Sequence, residues 1–365
     1  MEMKESNKII GVKAMKITVK KESLIDALAY CSGAAGSKKN ALPVLECVKM
    51  SAKEGKLECV TTDLEITLGK SIECEIEKEG TILVSHRDLF GLVKEIDVET
   101  ISLEVKKKDT KEEKEKTGAL LLKTDKGKYR LPLVKVKDFP KIEDLKTKTS
   151  MEVDIKEVLH KTMFAVSTDN IRYALNGVFF DGENAVATNG VRLSVIPCSL
   201  GEASCIVPTN ACREISKIDG KVEVQITDKN ILFKNNGSYI KSRLIEGKFP
   251  DYKPIIPKND CKIKINSEEL INILKRMRLI NENIMEIDFG KDCVVFKAGE
   301  AGKTANEEMV IKNEEEKKFA INPVLLMEML KRVSGEVVFE LGKDASSPIV
   351  IKKDDFTHII MPVRL

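Results

Sequence analysis

The chain has 365 residues, 42% hydrophobic and 33% charged, which is room for about two to four domains and the composition of a globular protein. A net charge of +3 lacks the basic excess of a protein held on nucleic acid mainly by phosphate contacts, so any DNA binding is weak per contact or depends on geometry. No run approaches the roughly 18 apolar residues of a membrane span, and the first residues lack the apolar segment of a signal peptide. The nine cysteines make no C-x-x-C pair. Cys198, Cys205 and Cys212 are seven apart, with three histidines in the whole chain to help them, so buried free thiols in a reducing cytoplasm are expected rather than zinc.

Residues 1–14 read as a flexible extension, with Met15 a natural alternative start. From there one pattern is made three times. Each third opens with a short strand and an amphipathic helix. These are Met15–Val19 then Lys21 or Glu22 to Tyr30, Met151–Asp154 then Lys156 to Ala165, and Cys261–Ile265 then Ser267 to about Arg278. A second strand and helix follow in each: Ile82–Val84 then His86 to Glu95, Cys205–Val207 then Thr209 to Lys217, and Phe319–Ile321 then Pro323 to Val333. Asn266-Ser267 followed by Glu269 is a helix-start signal, and Pro208 and Pro323 fall where a first-turn proline is tolerated. A repeat this long, with two helices and many strands, is a domain rather than a solenoid unit. The expected architecture is α+β in three tandem domains, 15–145, 150–256 and 259–365, with linkers near Ile142–Thr149 and Pro254–Asp260. The run Lys106–Lys116 mixes both signs and reads as a solvated hairpin tip, a basic arm reaching DNA being the alternative.

The centre of the chain, Arg172–Pro197, reads as short strands broken at Asp181-Gly182 and Asn189-Gly190. Asx-Gly pairs accept the positive φ of tight hairpins. Val191, Leu193 and Val195 alternate as in a half-buried strand, which would turn Arg192 away from the core. Gly299–Thr304 has only two residues between its glycines and runs into a strand-like stretch, so it reads as a hairpin turn rather than a phosphate loop. Asp63, Glu65, Asp181 and Glu183 read as turn or strand-face acids, and no enzyme constellation emerges. The expected helices carry basic faces instead: Lys156 and Lys161, Arg213 and Lys217, Lys275, Arg276 and Arg278, and Lys331 and Arg332. Such faces turned inward around a ring would hold a polyanion without sequence readout. The tail Met361-Pro362-Val363-Arg364-Leu365 is apolar for a terminus, which points to packing.

Seven phrases in order make the chain resemble the bacterial sliding clamp family, the β subunit of DNA polymerase III. They are A-L-P-V-L at 41–45, T-T-D-L-E at 61–65, D-F-P at 138–140, R-Y-A-L-N-G at 172–177, V-A-T-N-G-V-R-L at 186–193, F-P-D-Y at 249–252 and M-P-V-R-L at 361–365. The resemblance implies the DNA-clamp fold, a head-to-tail homodimer closing into a six-domain ring around duplex DNA, and a cytoplasmic tether for the replicative polymerase. It implies no catalysis, no cofactor and no metal. A clamp-like interaction scaffold that does not load on DNA is the alternative.

The resemblance also implies an apolar pocket for client peptides of the polymerase, clamp loader and repair proteins. Its matching positions are Leu175, Thr188, Gly190, Val191, Arg192, Leu193, Pro250, Ile255, Asn322, Ser347, Ile359, Met361, Pro362, Val363, Arg364 and Leu365. Two positions depart from the family. Ala174 stands where a second aromatic is usual and Pro254 where an arginine is usual, which puts peptide preference in question. For DNA the matching positions are Lys38, Lys39 and Tyr173, lysine keeping the charge of the family's arginine without its bidentate fork. For the dimer seam they are Tyr129, Leu279 and Ile280.

Overall fold

The computed structural model describes residues 15–36, 42–106, 118–143, 145, 150–202, 204–311 and 316–364. Lys38, Lys39, Leu365, residues 1–14 and most of the 106–116 charge run lie outside the described residues. The chain divides into two compact units.

One unit is formed by the described residues of Met1–Ser150 together with Glu223–Arg243. Its strands are antiparallel neighbours in the order Val222–Ile226, Asn230–Asn235, Ser238–Arg243, Ile66–Glu73, Lys56–Thr62, Cys47–Lys53, Gly80–Ser85, Lys128–Val134, Ala119–Lys123, Thr100–Lys106, Lys16–Lys20 and Glu75–Lys78. Alternation sets the buried face: Ile101, Leu103 and Val105 point into the core while Thr100 and Lys106 face water. Helix α1 (Lys21–Cys31) buries Leu24, Ala27, Leu28 and Cys31, the i, i+3, i+4, i+7 stripe of an amphipathic helix. Helix α2 (His86–Glu95) starts at Ser85, whose hydroxyl accepts from the Asp88 N–H at 3.3 Å. The two helices are tied by a 2.8 Å hydrogen bond between His86 Nε2 and the Leu28 carbonyl.

The other unit is Met151–Val222 with Leu244–Leu365. One antiparallel sheet runs Cys205–Pro208, Gly177–Phe180, Asn184–Thr188, Arg192–Pro197, Phe356–Ile360, Ile349–Lys353, Glu336–Leu341 and Cys261–Asn266. A smaller sheet runs Lys303–Val310, Cys293–Glu300, Met285–Phe289 and Lys317–Ile321. The helices are α3 (Lys156–Thr162), α4 (Thr209–Ile215), α5 (Ser267–Met277) and α6 (Pro323–Leu330). With the short strand Met151–Val153 before α3, all six expected strand-then-helix pairs are present. Helix α3 is shorter than its sequence suggests, because the Thr162 hydroxyl donates back to the Val158 carbonyl at 2.8 Å and the chain tightens into a 3₁₀ turn at Met163–Ala165. Asn266 and Asn322 cap α5 and α6 through their side-chain oxygens.

The stretch with the spacing of a failed phosphate loop is a hairpin. Glu300 pairs with Lys303, and Ala301 and Gly302 take φ of 49° and 83°, the left-handed pair of a type I′ turn. All nine cysteines are free thiols, and seven are buried. Burial pushes Cys31 and Cys212 up to about 12, which leaves them unreactive.

Candidate functional site

Two turns position the site. At Asp181-Gly182 the Asp181 carboxylate accepts from the N–H groups of Glu183 and Asn184, and Gly182 takes φ 96°. Burial would raise this carboxyl, but the Tyr252 hydroxyl donating at 2.7 Å and the two backbone donors hold it below the usual range. At the second turn Asn189 Oδ1 accepts from Val191 and Arg192, both at 3.1 Å, and Gly190 takes φ 95°. Thr188 closes the turn by donating to the Arg192 carbonyl at 2.6 Å.

The strand that leaves this turn carries the largest departure from expectation. Arg192 does not face away from the core; it is 9% exposed. Its guanidinium donates to Glu328 of α6 and to the Phe164 carbonyl, and its central carbon stands 5.2 Å from the Phe164 ring centroid. Charge pairing, a carbonyl acceptor and a ring face together let a cation enter the interior. Two residues on, Ser194 and His358 are cross-strand partners joined at 2.8 Å between Oγ and Nδ1. Both are closed to solvent, so this is a buried polar tie and not a reacting pair. Burial, then the nearby Arg192 charge, push His358 down to about 3 and keep it neutral.

Leu175, Leu193 and Ile359 meet in one buried cluster with Val350, Phe249 and Tyr252. Phe249 stacks on Phe179 with centroids 4.6 Å apart. Pro250 and Ile255 are exposed beside these buried neighbours, as are Gly190 and Val191. Asn322 spends its side-chain oxygen on the first N–H groups of α6, and Ser347 exchanges bonds with Asp344 in a loop. The tail is tied by its backbone: the Met361 N–H donates to the Val191 carbonyl at 2.9 Å and the Val363 N–H to the Ala320 carbonyl at 2.7 Å. Met361 is partly exposed, Pro362 and Val363 are half-buried and Arg364 faces solvent. Glu328 and Phe164 carried no signal in the sequence, whereas Phe249 and Tyr252 stood inside the F-P-D-Y phrase.

Tyr173 lies in the 3₁₀ turn Tyr173–Leu175 and is 54% exposed, while Leu175 in the same turn is buried. Leu279 and Ile280 form the turn that ends α5; Leu279 is 71% exposed. Tyr129, in the first unit, is also exposed. The basic helix faces are partly neutralised. Lys156 pairs with Asp219, Lys161 with Glu157, Lys217 with Glu214 and Arg276 with Glu307. Arg213, Lys275, Arg278 and Lys331 are exposed and have no acidic partner among the described residues.

Residues 15–143 match the family model of the DNA polymerase III beta subunit, N-terminal domain, and residues 151–251 match that of its central domain. The beta sliding clamp of Rickettsia felis is 27% identical over 400 residues, covering 96% of this chain and 100% of the relative. That of Escherichia coli is 24% identical over 376 residues with the same coverage. The solved beta sliding clamp of Caulobacter crescentus superposes with a TM-score of 0.89 at 23% identity, over 97% of this chain and 100% of that one. A sliding clamp from Bartonella birtlesii bound to griselimycin gives 0.87 at 25% identity, over 96% and 100%. The fold is therefore α+β in the three-domain arrangement of the DNA clamps. The chain belongs to the DNA polymerase III beta subunit family, the bacterial sliding clamps. It is a non-catalytic processivity factor of DNA replication, and DNA and a polymerase are its partners.

Proposed function

We propose that two copies close head to tail into a ring of six domains around duplex DNA, each chain divided as 15–145, 150–256 and 259–365. In this reading Leu279 and Ile280 of one copy meet Tyr129 of the other in the cytoplasm of the cell. Lys38, Lys39 and Tyr173, with Arg213, Lys275, Arg278 and Lys331, which have no acidic partner among the described residues, face the phosphates. The polymerase, the loader and repair clients dock by short peptides with Leu or Phe anchors in the groove at Leu175, Leu193 and Ile359. The tail's two backbone bonds carry the docking half of the proposal, because they hold Met361 and Val363 at the edge of an apolar cluster that leaves Val191, Pro250 and Ile255 exposed. Griselimycin bound to the Bartonella birtlesii relative supports a ligand site in this family.

The ring is tested by topology. Once loaded, the protein is expected to stay on nicked circular DNA and to run off after linearisation; equal retention on both overturns encirclement and favours the scaffold alternative. The groove is tested by deleting residues 361–365. The truncated chain is expected to remain a folded dimer that encircles DNA and to lose client-peptide binding. Wild-type affinity for the peptide would overturn the pocket.

A further inference from the structure

A second concavity lies in the same unit, with the Phe164 ring beneath Arg192 as one of its walls. It has a volume of about 500 Å³ and is walled by Leu159, His160, Met163, Phe164, Ser216 and Arg332. That size is in the range of sites for small organic ligands. The sequence places Arg332 on a basic helix face. In the structure it is half-buried, with its guanidinium carbon 5.5 Å from the Phe164 ring centroid. Its Nε is buried without a hydrogen-bond partner, and among the described residues no carboxylate pairs with it.

Most of the other charges around the cavity are paired. Lys156 is taken by Asp219, Glu157 by Lys161 at 2.6 Å, and Arg192, over the same Phe164 ring, by Glu328. Arg332 is thus a cation held against an aromatic face with its Nε unpartnered and no carboxylate paired to it among the described residues. An arginine fork fits phosphate oxygens in a bidentate way, and holding it in advance reduces the ordering cost on binding. Leu159, Met163 and the exposed His160 ring offer a flat, weakly polar wall beside it. Burial and then the Arg332 charge hold His160 below its usual pKa, which keeps the ring neutral at neutral pH. Asp154, which also lines the cavity and has no cation partner among the described residues, can accept from a hydroxyl or amino group.

We infer that this cavity binds a nucleoside monophosphate, with the phosphate on Arg332 and the base against His160 and Met163. The nucleotide can come free from solution or from the unpaired end of a nucleic-acid strand, since both present the same phosphate and base.

Equilibrium dialysis of the full chain against labelled dAMP tests this. Saturable binding at one site per chain is expected, with Arg332→Gln weakening it at least about tenfold and Arg332→Lys falling between, because lysine keeps charge without the fork. His160→Ala should weaken it less while leaving the circular dichroism spectrum unchanged; it carries the test if the Arg332 variants do not fold. Inorganic phosphate should compete poorly. No saturable binding at millimolar dAMP, or binding indifferent to both residues, overturns the site; phosphate competing as well as dAMP overturns the nucleotide assignment. Displacement of dAMP by a short single-stranded oligonucleotide, dependent on Arg332, supports the strand as source; binding of dAMP without such displacement supports the free nucleotide.

Discussion

Two places in the second unit use the same parts and put them to opposite ends. At Arg192-Leu193 an arginine is paired with a glutamate and the next residue is an apolar side chain in the core. At the end of α5, Arg276 grips Glu307 through Nε at 2.7 Å and a second, shorter bond, and Leu279 follows within a turn. The arginine side chain is 9% exposed in the first case and 56% in the second. Burial, not the pairing itself, decides what each is worth. A pair removed from water leaves an uncompensated charge when broken, whereas a wet pair is replaced by solvent. The apolar neighbours divide in the same way: Leu193 contributes to the fold, while Leu279 is left over for a partner.

The comparison can be tested from its heaviest element downward. Leu193→Ala is expected to destabilise the fold by about 2–5 kcal/mol, the cost of a core cavity, read from urea midpoints at unchanged m. Glu328→Ala should cost about 2 kcal/mol, less than the roughly 3–5 of a fully buried pair, because Glu328 is 41% exposed and water can partly take its place. A loss no larger than that of Arg276→Ala would erase the distinction between the two regions.

Acid should weaken the buried region through His358. Its folded pKa is about 3 against an ordinary 6.5, so between those values the unfolded chain takes up a proton that the folded one refuses. Stability from this group is complete above pH 6.5 and falls as pH drops towards 3, by at most about 1.4 kcal/mol per pH unit. Wild-type midpoints measured at neutral pH and in mild acid should therefore diverge more than those of His358→Gln. Parallel pH profiles would remove His358 as the cause.

On the exposed side, Leu279→Lys with Ile280→Lys should leave the monomer's unfolding almost untouched and abolish the dimer in sedimentation at micromolar protein. Burial of two aliphatic side chains typically contributes about 1.5–3 kcal/mol each, enough to decide such an equilibrium. A dimer that persists would place the seam elsewhere. The smallest effect belongs to Arg276→Ala, whose thermal unfolding should be indistinguishable from wild type, since Arg276 stands in solvent on an exposed helix end.

What the sequence determined by itself is local or collective. Asn189-Gly190 and Ala301-Gly302 close their turns through backbone φ and short-range bonds, so their neighbours suffice to read them. The six strand-then-helix pairs follow from periodicity and caps, and seven phrases in order identified the family. Tertiary structure alone decided where single charges went. Arg192 meets Glu328 across 136 positions and Ser194 meets His358 across 164, and no window of sequence contains both members. Alternation correctly made Leu193 a core residue but sent Arg192 to water, because a period-two rule knows only two faces and here both are covered. Arg332 shows the same limit from the other direction: a helix-end cation is solvated by default, and only the Phe164 ring, brought to it by the fold, turned it inward.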